Sequence, residues 1–177
     1  VATGRYKATN DIYAYKNADY VIIATPTNLD ETTGKLDTFS VESVIRTVRE
    51  INKNCLIVIK STVPTGFTEK MIQNYGGSII FCPEFLREKH ALSDAYYPSR
   101  LIIGSDTKND KMIRFQALLE SSIKNDKKVI YMSSKEAEAT KLFSNAYLAM
   151  RVAFFNELDS FAMENEINSK NTISYFY

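Results

Sequence analysis

Apolar and polar positions alternate in blocks whose lengths name the elements. The run 20–24 is short and apolar and ends in Thr25-Pro26-Thr27, so it reads as a strand entering a loop. Val41, Val44, Ile45, Val48 and Ile51 recur at helical spacing, predicting an amphipathic helix over 41–51. Leu56–Ile59 is continuously apolar, as in a strand covered on both faces. A turn over 61–66, Ser-Thr-Val-Pro-Thr-Gly, leads into a helix over 67–74, which Gly76-Gly77 ends. Residues 78–82 and Leu101–Gly104 read as strands. A helix over 108–121 is predicted to carry Met112, Phe115, Leu118 and Leu119 on one face, and Val129–Met132 is a last strand. Ser133-Ser134 then opens a helix reaching Glu164. Strand–helix alternation of this kind predicts an α/β fold: a partial Rossmann-like parallel sheet with right-handed crossovers, followed by one long central helix.

Composition narrows the picture. The 177 residues suit one domain or one domain with an appendage, and 45% hydrophobic content supports a core. Lysines and arginines number 22 against 21 acidic residues, so no net field draws the chain to nucleic acid or to an anionic membrane. The sequence carries no apolar run near membrane-spanning length and no export pattern, which points to the cytoplasm. Cys55 and Cys82 sit at the ends of apolar runs and read as reduced core thiols. The single histidine, His90, has no partner for a metal site and reads as a surface or helix-end residue.

Candidate chemistry collects at strand ends. Three loops follow apolar strands: Thr25-Pro26-Thr27-Asn28, Ser61-Thr62-Val63-Pro64 and Pro83-Glu84-Phe85-Leu86-Arg87-Glu88. Parallel strands would place all three on one edge of the sheet, where open α/β sheets bind ligands. Read alone, the Ser/Thr loops are either helix caps or donors for a ribose, phosphate or amide. The third loop is either a solvated turn or a site. Lys141 and Asn145 share a face of the long helix at i, i+4, as a solvated edge or as a donor pair aimed into a cleft. None of the six glycines (4, 34, 66, 76, 77, 104) has the G-x-G-x-x-G spacing that holds a pyrophosphate.

Four blocks together resemble the UDP-glucose/GDP-mannose dehydrogenase family. They are VIIATPTN at 21–28, IKSTVPTGF at 59–67, PEFLRE at 83–88 with YPSR at 97–100, and AEATKLFSNAYLAMRV at 137–152, running on through Asn156-Glu157-Leu158. The resemblance extends to about Ile167. It implies NAD as cofactor, contacted by Thr25, Pro26, Thr27, Ser61, Thr62, Val63 and Glu88. It implies that Glu84, Phe85, Leu86, Arg87 and Glu88 wrap the nucleotide sugar while Lys141 and Asn145 bind its glucose end. Glu84, Lys141, Thr62 and Asn145 would carry the chemistry, with Glu84 as acid/base and Lys141 stabilising charge. The reaction implied is NAD-dependent, two-step oxidation of UDP-glucose to UDP-glucuronate through a cysteine thioester, serving polysaccharide biosynthesis. The blocks stand closer to the UDP-glucose branch than to enzymes of GDP-mannose or N-acetylhexosamine nucleotides.

Departures from the family set further expectations. Neither cysteine matches the nucleophile, its partner aspartate is missing, and the glycine loop is missing. The reading is therefore a fragment without turnover. Residues 1–133 would be an NAD-binding domain lacking its first part, 134–167 a central helix forming a homodimer, and 168–177 a divergent tail ending Tyr-Phe-Tyr. The strand at 20–24 would expose an open edge prone to aggregation. A non-catalytic dimerising module is the competing class.

Overall fold

The structure, a computed structural model, describes residues 6–176; Gly4 and Tyr177 lie outside the described residues. After a 3-10 turn at Ile12–Asn17 the elements run β1 (Tyr20–Ile23), β2 (Leu29–Asp30), β3 (Lys35–Leu36), α1 (Phe39–Ile51), β4 (Leu56–Ile59), α2 (Phe67–Tyr75) and β5 (Ile79–Phe81). A 3-10 turn at Glu88–His90 and α3 (Ala91–Tyr96) lead to β6 (Leu101–Gly104), α4 (Asp110–Ser122), β7 (Val129–Met132), α5 (Ser134–Glu164) and α6 (Ser169–Ser174). The main sheet has the order β1-β4-β5-β6-β7, and β2-β3 form a small antiparallel ribbon.

Side chains alternate across the strands, so the sheet separates two apolar layers. Ile57, Ile59, Ile79 and Phe81 meet Val41, Ile45 and Val48 of α1 and Phe67 and Met71 of α2. Leu56, Val58, Ile80 and Ile103 meet Met112 and Phe115 of α4. Burial on both faces explains why β4 reads as one unbroken apolar run. Leu118 departs from expectation and stands 54% exposed. It lies about 240° around the helix from Met112, off the stripe that Met112, Phe115 and Leu119 define.

The sheet also departs from the all-parallel expectation. Strands β1, β4 and β5 are mutually parallel, but β5 meets β6 antiparallel at Phe81↔Gly104. A parallel return needs a crossover spanning the sheet. The segment 82–100 holds only a 3-10 turn and the six-residue α3, so the chain turns back on the same edge. Strand β1 pairs only with β4 among the described residues, leaving its outer side as a sheet edge.

Helix α5 opens with a capping box. Ser133 Oγ accepts from Glu136 N, and Glu136 Oε2 accepts from Ser133 N at 2.8 Å. Close approach follows at Gly104, where a Cβ would stand 2.5 Å from that of Ala137. Contacts divide the chain inside α5, into Val1–Lys141 and Leu142–Tyr177. Within the second unit, Phe154, Phe155 and Phe176 pack ring against ring at 5.3–5.9 Å. Glu166, at φ 55°, turns the backbone before α6.

Candidate active site

The first two loops lie beyond β1 and β4 and are laced together. Ser61 Oγ donates to Thr25 O at 2.6 Å and Thr27 Oγ1 donates to Thr62 O at 2.7 Å. Ser40, at the start of α1, donates to Pro26 O at 2.9 Å. Hydroxyls here fix the loop backbones against each other, as caps and turns do. Val63 is fully buried and seats its loop on the core. Gly66, at φ 88°, then admits α2.

The third loop follows β5 and gathers charge. Lys60 Nζ stands 3.3 Å from Glu84 Oε2. Lys141, in the second turn of α5, donates to Glu84 O at 2.7 Å. Phe85 lies beneath two cations, Arg100 at 3.9 Å and Lys141 at 5.4 Å from the ring centroid. A cleft of about 160 Å³ is lined by Lys60, Cys82, Glu84, Phe85, Asp94 and Arg100 among others. Burial holds the Lys141 ammonium below the ordinary lysine value, and Arg100 and Lys60 add to the depression while Glu84 opposes it. An ammonium so placed stabilises negative charge that develops nearby.

Glu138 joins these loops from beneath. Its fully buried carboxylate accepts from Gly66 N at 2.5 Å and Thr68 N at 2.8 Å, the opening N–H groups of α2. It stands one turn before Lys141 on α5, so one stretch of helix holds both the second and third loops. Sequence reading gave no role to Glu138, Lys60, Arg100 or Asp94, although the first three lie within the blocks that carry the family resemblance.

The other predicted positions fall differently. Arg87 turns to Asp94, with Nη2 2.8 Å from Oδ1. Leu86 lines the cleft, and Glu88 is exposed in its 3-10 turn. Asn145 is exposed and belongs to the second unit. Cys55 and Cys82 are free and buried, and burial pushes both thiols up. Among the described residues no cluster of His, Cys, Asp and Glu could hold a metal, and no helix is long and apolar enough to cross a membrane.

A mostly parallel sheet with helices on both faces and polar loops beyond its carboxyl edge defines the Rossmann class of dinucleotide-binding proteins. Within that class, residues 1–141 match the NAD binding domain of the UDP-glucose/GDP-mannose dehydrogenase family, and 135–176 match its central domain. The chain belongs to this family. It is 48% identical to a UDP-glucose 6-dehydrogenase of Campylobacter jejuni over 94% of its own length, and 44% identical to one of Streptococcus pneumoniae over 91%. It spans 42% of each relative. In fold it is similar to a GDP-mannose dehydrogenase from Pseudomonas aeruginosa, with a TM-score of 0.83 at 23% identity, covering 97% of this chain and 42% of that one.

Proposed function

We propose that the chain is the NAD- and sugar-handling portion of a UDP-glucose 6-dehydrogenase, which oxidises UDP-glucose to UDP-glucuronate. The observation that carries this reading is the Glu84–Lys60–Lys141 cluster at the carboxyl edge of the sheet. Thr25, Pro26, Thr27, Ser61, Thr62 and Val63 form the cofactor side. These residues would hold NAD, which would supply the hydride acceptor for oxidation at the C6 carbon. Lys141 stabilises the alkoxide that develops as the C6 hydroxyl loses its proton, and the Glu84 carboxylate takes that proton. Lys60 holds the carboxylate in position. Glu88 completes the contacts on the nicotinamide side.

Neither thiol of this chain supplies a nucleophile, because both are buried in their protonated form. Calorimetric titration of the purified chain with UDP-glucose and GDP-mannose tests the reading. UDP-glucose should bind more tightly, Lys141→Met should weaken it about tenfold or more with the fold intact, and no UDP-glucuronate should form. Tighter binding of GDP-mannose, or unchanged binding by the variant, overturns it.

A homodimer through α5 is the second element of this reading. Phe143, Tyr147, Leu148, Met150, Phe161 and Met163 are all at least 55% exposed along that helix. So many large apolar side chains on one element favour a partner of the same chemistry, a second copy of α5.

A further inference from the structure

The PEFLRE loop contains a latch whose two halves lie seven residues apart. Arg87 Nε donates to Asp94 Oδ2 at 3.0 Å, Nη2 donates to Oδ1 at 2.8 Å, and the Arg87 backbone N donates to Oδ2 at 2.9 Å. One carboxylate thus accepts three hydrogen bonds from one residue, a forked arrangement that fixes orientation as well as distance. We infer that Asp94 and Arg87 are positioning residues that hold Glu84, Phe85 and Leu86 against the cleft, and that Arg87 acts there without touching the ligand. This inference rests on the nucleotide-sugar reading above.

Three observations support it. Asp94 lines the same cleft as Glu84, Phe85 and Leu86, so the latch closes on the wall it serves. The far end of the connection is anchored separately: Lys124 N donates to Tyr96 O at 2.7 Å and Asn125 Nδ2 donates to Pro98 O at 3.1 Å. Lys60 and Lys141 hold Glu84 at the near end, so breaking the latch loosens the stretch around Arg87 between two seated ends. Finally, Nε, Nη2 and the backbone N of Arg87 all face Asp94, so a phosphate would have to displace the carboxylate to engage that side of the guanidinium.

A double-mutant cycle on the full chain tests the inference, using Arg87→Gln, Asp94→Asn, both together, and the charge swap Arg87→Asp with Asp94→Arg. Amide exchange over 83–97 should quicken about fivefold in either single variant and no further in the double, with the core strands unchanged. UDP-glucose affinity should fall about fivefold in both singles, equally and non-additively, and the swap should recover part of each loss. Unchanged exchange shows that the pair does not order the loop and overturns the inference. Loss of affinity in Arg87→Gln but not in Asp94→Asn makes Arg87 a ligand contact and overturns it too. A wild-type chain that ignores UDP-glucose refutes the proposed function and the affinity half of this inference, while exchange still decides whether the latch orders the loop.

Discussion

Lys141 bears a charge that its surroundings disfavour. Burial, Arg100 and Lys60 depress its proton affinity, and only Glu84 counters them. A lysine lowered in the folded state destabilises the fold while it is charged, and the penalty fades as pH rises from that lowered value through the ordinary lysine range near 10.4. Melting curves of wild type and Lys141→Met should therefore converge or shift in favour of wild type as pH climbs from 7 to 10. A constant difference would show that Lys141 titrates as a free lysine. Asp94 has the opposite character, because the Arg87 hydrogen bonds hold its carboxyl well below the usual range. Its stabilising contribution is therefore present at neutral pH and is lost as pH falls below the ordinary aspartate range.

At the scale of elements, α5 organises the site. Its first turns are seated by the Gly104–Ala137 approach, tied to α2 through Glu138 and tied to the third loop through Lys141. Glu138→Ala would orphan two N–H groups in a buried helix start, costing about 2–4 kcal/mol. Chemical denaturation should show that loss, and UDP-glucose affinity should fall with it, because the second and third loops share this support. A variant as stable as wild type would mean that water replaces the carboxylate. The long helix was legible from its Ser133-Ser134 start and unbroken pattern. The role of Glu138 was not, because its partners lie about seventy residues away in sequence.

For the whole molecule, two exposed surfaces set the behaviour in solution: the outer side of β1 and the apolar side chains of α5. If α5 pairs with a second copy, light scattering should give twice the 20.1 kDa chain mass, falling towards the single chain on dilution. Phe143→Glu with Met150→Glu should leave a monomer. A wild type that is monomeric at every concentration counts against the dimer. The antiparallel step at β6 is also a property of the whole fold. The apolar run Leu101–Gly104 looks the same in either direction, and only the short connection before it decides which way it runs.

Residue order alone determined the alternation of strands and helices, the three polar loops and their common edge. Local periodicity and turn chemistry encode those features, and parallel pairing brings the loops together without further information. Tertiary structure alone decided which charges meet. Lys60 and Lys141 converge on Glu84, Arg87 pairs with Asp94, and Glu138 reaches beneath α2. Such pairings depend on the packing of distant segments, and a side chain's partner there is set by which backbone the fold carries past it.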